Sequence, residues 1–191
     1  MIKVLIADDH KLVRRALINL LDAAEGISVV GEAGTGEEAV RLARDLCPNL
    51  NVVLMDVKMP GIGGMEAARR IIRYNADVKI LGLSACKDDP FPSRFVQAGA
   101  AGYVTKDVNF EELERAIRDV YSGRRYLTPE IAQQIALHHL VEEASPLDVL
   151  SERELQVMIM ITSGQKVQEI SDKLCLSPKT VNSYRYRLFE K

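Results

Sequence analysis

The stretch KVLIADDH, residues 3–10, decides how the fold is read. Four apolar residues run without a break and then deliver two adjacent carboxylates, Asp8 and Asp9. An uninterrupted apolar strand has both faces buried, which is the signature of a parallel sheet covered by helices. Two like charges held side by side repel, so a fold that fixes them there must gain from their proximity.

Working outward, the pattern repeats. Apolar runs at ISVVGEA (27–33), NVVLM (51–55), KILGLS (79–84) and GYVT (102–105) alternate with segments of helical period. The first helix is read through Leu12, Val13, Ala16, Leu17, Leu20 and Leu21. Others follow through Ala39, Val40, Leu42, Ala43 and Leu46, through Met65, Ala68, Ile71 and Ile72, and around Phe95 and Val96. The last, FEELERAIRDVYSG, stops at Gly123, where a helix-ending glycine belongs. Five βα repeats predict a doubly wound α/β sheet, and ligands of such sheets bind beyond the carboxyl ends of the strands.

Beyond residue 123 the pattern changes. Thr128-Pro129-Glu130 predicts a helix start, with the helix running to about Val141, and EEASPLD (142–148) reads as a linker. From 151 onward the period is wholly helical. Ser151 and Glu154 form a capping-box pair, Gly164 ends that helix, Val167–Leu174 makes a second, and CLS turns the chain into a third at Pro178. Helix, helix, three-residue turn, helix is the helix-turn-helix layout.

The chain has 191 residues, is 47% hydrophobic and carries net charge −2. No apolar run approaches the roughly 18 residues of a membrane span, and there is no signal-peptide pattern, so a cytoplasmic protein is expected. Cys47, Cys86 and Cys175 read as buried free thiols of a reducing compartment. Residues 178–191 nonetheless carry four cations against Glu190 alone, which points to a confined nucleic-acid contact.

Strands one and three are neighbours in a doubly wound sheet, so Asp8, Asp9 and Asp56 meet at one mouth. A hard divalent cation, Mg²⁺, resolves their repulsion, since it takes oxygen ligands and commonly one or two carboxylates with a phosphate. Ser84 closes strand four and Lys106 follows strand five. Acids, metal, hydroxyl and ammonium together suit phosphoryl transfer, in which a carboxylate is a competent nucleophile. GEAGTGEE (31–38) has P-loop glycine spacing but places Glu37 and Glu38 where Lys and Ser or Thr would stand, and is read as a turn. His138 and His139 point apart on their helix, and His10 faces no Ser or Cys nucleophile, so none of the three is given a role.

On the third helix of the C-terminal segment, Val181 and Leu188 are read as facing the core, with Tyr184 or Arg185 beside them. Lys179, Asn182, Ser183, Tyr186 and Glu190 fall opposite, flanked by Arg185 and Arg187. Asn suits adenine, and Arg and Lys suit phosphates or guanine.

ADDH, MDVKMPG, the Ser84 hydroxyl and GYVTK resemble the receiver domain of two-component response regulators over roughly residues 1–123. The resemblance implies a flavodoxin-like five-stranded sheet in the order 2-1-3-4-5. It implies Asp56 as phosphoacceptor, Asp9 as a direct metal ligand, Asp8 as one acting through water, and the Lys58 carbonyl as a further ligand. Ser84 and Tyr103 would be a switch pair, with the hydroxyl moving toward the phosphoryl group and the ring rotating inward. Where many receivers have Pro after the lysine, this sequence has Asp107.

LSERELQVM and EISDKLCLSPKTVNSYRYRL resemble the helix-turn-helix output domain of the NarL/FixJ (LuxR-type) regulators, and the recognition helix and QAGAAGYVTK resemble the GacA/UvrY subgroup. This implies a receiver at 1–123, a linker with one helix at 124–147 and a DNA-binding domain at 148–191. It implies DNA contacts from Lys179, Thr180, Asn182, Ser183, Tyr186 and Arg187. It also implies a hybrid sensor histidine kinase as phosphodonor and dimer binding to promoters, notably those of small regulatory RNAs. The family adds a fourth, dimerising helix after the recognition helix, and the sequence stops at Lys191, so a domain without that helix is expected. An aspartate-nucleophile phosphatase would need an acid two residues past Asp56, where Lys58 stands; no enzyme activity beyond self-phosphorylation and its reversal is expected.

Overall fold

The computed structural model describes residues 1–84, 91–140 and 149–190. Cys86 and the expected linker 142–148 lie outside them, as do the side chains of His138 and His139. The chain divides into two compact units, Met1–His138 and His139–Lys191.

In the first unit the strands are β1 Ile2–Ala7, β2 Ile27–Ala33, β3 Val52–Asp56, β4 Lys79–Ser84, β5 Gly102–Thr105 and β6 Tyr126–Leu127. They form one parallel sheet in the order β2-β1-β3-β4-β5-β6. The order of the first five is as expected; the sixth strand corrects the expected count of five. It pairs Gly102 with Tyr126 and Tyr103 with Leu127, so this unit continues past Gly123. Two residues cannot display an alternation, which is why the sequence pattern misses them.

The intervening helices are α1 Lys11–Asp22, α2 Gly36–Asp45, α3 Gly63–Tyr74, α4 Phe91–Gln97 and α5 Phe110–Tyr121, followed by α6 Pro129–Leu140. Alternate strand residues Ile2, Val4, Ile6, Val52, Leu54, Leu81, Leu83 and Val104 pack with Leu21 of α1 and with Leu113, Ala116, Ile117 and Val120 of α5. Leu5, Val53, Met55, Ile80 and Tyr103, pointing the other way, are also buried. A strand with two buried faces is thus what the continuous apolar runs encode.

The α1 register differs from expectation. Leu12 and Leu20 are exposed, whereas Leu17, Ile18 and Leu21 pack inward. The stripe that wins includes Arg14, at i relative to Leu17, Ile18 and Leu21. The would-be P-loop is a capped helix start: the Thr35 hydroxyl accepts from Glu38 N at 3.2 Å, and the Glu38 carboxylate accepts from Gly34 N at 2.9 Å. Cys47 is half-buried and Cys175 exposed, both as free thiols, so burial was not the reason for either.

The second unit holds α7 Glu152–Thr162, α8 Val167–Leu174 and α9 Pro178–Glu190. Ser151 and Glu154 cap α7 reciprocally, as expected. Val157, Ile170, Leu174 and Val181 make its core, with Tyr184 and Leu188 against them. Arg185 is exposed, so Tyr184 takes the place beside Val181. The turn is held by Cys175 in the left-handed conformation (φ 51°) and by Leu176 N donating to Ser171 O at 3.0 Å. The Ser171 hydroxyl donates to Leu176 O at 2.6 Å.

Candidate functional site

The carboxyl ends of β1, β3 and β5 bring three charged side chains into contact. Lys106 Nζ donates to Asp8 Oδ2 and to Asp56 Oδ2, each at 2.6 Å. Asp8 and Asp56 are buried, at 0% and 3% exposure, while Asp9 is exposed at the rim. Burial is the largest influence on Asp56 and pushes its carboxyl up to about 6; Lys106 pulls it back, and Asp8 adds to the rise. Burial alone would lower the Lys106 ammonium, but the facing carboxylates outweigh it and hold it above its ordinary value.

Backbone groups fix the acids. Lys58 N donates to Asp56 Oδ1 at 3.0 Å, and Val57 N to Leu83 O at 3.1 Å, tying the loop after β3 to β4. Gly64 lets α3 approach this loop: a Cβ there would lie 1.8 Å from Asp56 O. Lys106 N donates to Ser84 O at 2.7 Å, and the Thr105 hydroxyl donates to the carboxylate of Asp107, the residue that stands in place of the expected proline, so that Lys106 is bracketed.

Ser84 lies buried at the end of β4, one strand from Asp56. Tyr103 is wholly buried on β5, its ring edge-on to Phe95 with centroids 5.8 Å apart. Gly82 leaves room for both rings, since a Cβ would meet each at 2.8 Å.

Two neighbours of the acids escape a sequence reading. The Arg14 side chain is only 14% exposed and donates to Asp8 O at 2.5 Å and to Glu32 Oε2 at 3.2 Å. Its inward register with Leu17 and Leu21 was the available signal. His10 N donates to Asp8 Oδ1 at 2.8 Å, and His10 Nδ1 lies 2.8 Å from Asp9 Oδ1.

One ligand atom from each of Asp8, Asp9, His10 and Asp56 lies within 4.8 Å of the others. Three carboxylates against one ammonium leave an excess of negative charge, and oxygen donors at this spacing fit a divalent metal ion.

In the second unit, Lys179, Asn182, Ser183, Tyr186 and Arg187 are exposed along α9, and Thr180 is half-buried. The Ser177 hydroxyl accepts from Thr180 N at 3.0 Å and lies 2.7 Å from Thr180 Oγ1; the Ser183 hydroxyl donates back to Lys179 O at 3.0 Å. Asn182 and Tyr186 stand on the outer face with Lys179, opposite Val181 and Leu188. Among the described residues, no helix is long and apolar enough to cross a membrane.

Comparison with known proteins agrees with this arrangement. Residues 4–118 match the response regulator receiver domain family, and residues 148–191 match the bacterial regulatory proteins of the luxR family. The chain belongs to the two-component response regulators, with a receiver domain followed by a LuxR-type DNA-binding domain. It is 56% identical to the response regulator GacA of Pseudomonas aeruginosa over 193 aligned residues, covering 100% of this chain and 89% of that protein. It is 55% identical to the response regulator UvrY of Escherichia coli K12, covering 100% of this chain and 88% of that protein. A LuxR-family response regulator from Aurantimonas sp. SI85-9A1 superposes with a TM-score of 0.67 at 37% identity, covering 72% of this chain and 97% of that one.

Proposed function

We propose that this response regulator accepts a phosphoryl group on Asp56 and answers by binding promoter DNA through α9. The observation that carries the reading is the Lys106 ammonium held 2.6 Å from both Asp56 and Asp8 at the carboxyl end of β3. The donor is a hybrid sensor histidine kinase. The Asp56 carboxylate attacks phosphorus, the bond from phosphorus to the donor's imidazole nitrogen breaks, and that nitrogen keeps the electron pair. Lys106 turns from the carboxylates toward a phosphoryl oxygen, and the Ser84 hydroxyl donates to another. Asp8, Asp9, Asp56 and the Lys58 carbonyl would hold Mg²⁺, which when bound neutralises the acid cluster and the transferring oxygens. Tyr103, stacked edge-on to Phe95, moves with Ser84 and carries the change toward α4.

The receiver is assigned to 1–123, a linker with one helix, which also lends β6 to the receiver's sheet, to 124–147, and the regulatory domain to 148–191. On α9, Lys179 and Arg187 contact phosphates, while Thr180, Asn182, Ser183 and Tyr186 present hydrogen-bonding groups to base edges. The phosphorylated form acts as a homodimer in the cytoplasm, on promoters that include those of small regulatory RNAs. The chain acts on no substrate other than its own Asp56.

The test is incubation of the full chain with acetyl phosphate and Mg²⁺, followed by intact mass and phosphopeptide mapping. One added phosphoryl group on the peptide carrying Asp56 is expected, and none in Asp56→Asn. Labelling that persists in Asp56→Asn would remove the assignment.

A further inference from the structure

His10 stands beside the acid pair, and the resemblance to receivers assigns it no part. Its imidazole nonetheless belongs to the cluster geometrically. Nδ1 lies 2.8 Å from Asp9 Oδ1 and 3.3 Å from Asp8 Oδ1. Around a six-coordinate ion with bonds of about 2.1 Å, adjacent ligand atoms are separated by √2 times the bond, about 3.0 Å. The distance to Asp9 Oδ1, the direct ligand of the pair, is close to that edge length, so the nitrogen stands where a ligand next to the Asp9 oxygen would stand.

The backbone holds it there. His10 precedes α1 in an extended conformation (φ −84°, ψ 101°), and its side chain makes no capping hydrogen bond to the helix. Its own N–H is taken by Asp8 Oδ1, which points the residue at the acids rather than into the first turn of α1. The side chain is 66% exposed, so an incoming ion and its waters can reach the ring.

A hard ion such as Mg²⁺ prefers oxygen and leaves an imidazole aside, whereas borderline ions such as Co²⁺, Ni²⁺ and Zn²⁺ bind imidazole readily. We propose that His10 Nδ1 is a direct ligand for borderline divalent ions in this pocket, and so sets which ions the pocket accepts. The proposal rests on reading the acid cluster as a divalent-metal site. Its consequence is a pocket with mixed nitrogen and oxygen donors, in which a transition ion competes with Mg²⁺ through a contact that Mg²⁺ does not use.

The test uses the full chain stripped of metal with EDTA and dialysed. Ni²⁺ and Mg²⁺ binding is measured by calorimetry and Co²⁺ binding by visible absorption, for the wild type, His10→Ala, His10→Gln and Asp9→Asn. In both His10 variants the ratio of Ni²⁺ to Mg²⁺ affinity should fall about 10-fold or more, and the Co²⁺ bands should shift toward those of an all-oxygen site. An unchanged ratio in variants that still bind Mg²⁺ would overturn the proposal while leaving the metal site intact. If the wild type binds neither ion, the metal-site reading fails and takes the proposal with it. Asp9→Asn should weaken both ions together, which separates loss of the site from loss of its selectivity.

Discussion

At the scale of single residues, Asp56 meets opposing demands. Its carboxyl is buried and pushed up to about 6, yet phosphoryl transfer needs it ionised as a nucleophile. Below about pH 4 it is protonated in both folded and unfolded chains, and its contribution to stability is fully present. As pH rises through about 6 the native group must ionise inside the fold, and that contribution is lost. Asn cannot ionise, so metal-free Asp56→Asn should be more stable than wild type at pH 8 by up to about 3 kcal/mol, less whatever the lost Lys106 contact costs. The gap should close toward pH 4, as urea denaturation at the two pH values will show. Saturating Mg²⁺ should narrow the gap: an ion at a hundredfold excess over its dissociation constant stabilises the wild type by about 2.7 kcal/mol, and the variant less. The Asp8–Asp9 pair was legible as a site because two adjacent acids close an apolar strand. Arg14 and His10 were not, because one charged residue in a helical stripe or before a helix is usually solvated.

At the scale of elements, the site depends on how closely helices approach strand ends. Gly64 is decisive for α3, because the nearest atom to an added Cβ is backbone, Asp56 O at 1.8 Å, which cannot swing aside. Gly64→Ala should destabilise the receiver by about 1–3 kcal/mol in urea denaturation, and should slow labelling of Asp56 by acetyl phosphate. In the second unit, Ser151 N donates to Glu154 Oε2 at 2.8 Å and Glu154 N to the Ser151 hydroxyl at 3.3 Å. Ser151→Ala removes the hydroxyl half of that exchange and should lower the unfolding midpoint of the second unit by the equivalent of about 1 kcal/mol. That capping box was readable directly, since it needs only two residue types three positions apart. The α1 face was not: Leu12, Ala16 and Leu20 formed as good a stripe as Leu17, Ile18 and Leu21, and packing on the sheet chose between them.

For the whole molecule, a receiver and a DNA-binding unit share one chain, and a net charge of −2 confines DNA affinity to a local surface. Lys179→Ala should weaken binding to all DNA sequences alike and lower the slope of log affinity against log salt by about one. Asn182→Ala should instead flatten discrimination at one base position by about 1–3 kcal/mol, measured by fluorescence anisotropy across single-base variants of a bound promoter. If neither substitution changes binding, the outer face of α9 is not the reading surface. The sequence by itself determined the class of sheet and the acids at its mouth, because periodicity and strand-end chemistry are local properties of the chain. It also determined the helix-turn-helix, through caps and turn residues close together in sequence. The order of the first five strands came only through the resemblance to receivers. Only the tertiary structure decided that Lys106 bridges Asp8 and Asp56, that Arg14 anchors the Asp8 carbonyl and that His10 turns toward the acids. It also decided that Tyr126 and Leu127 add a sixth strand. Each of these depends on close contact across strand ends and helix starts, and a distance of that kind is set by packing rather than by pattern.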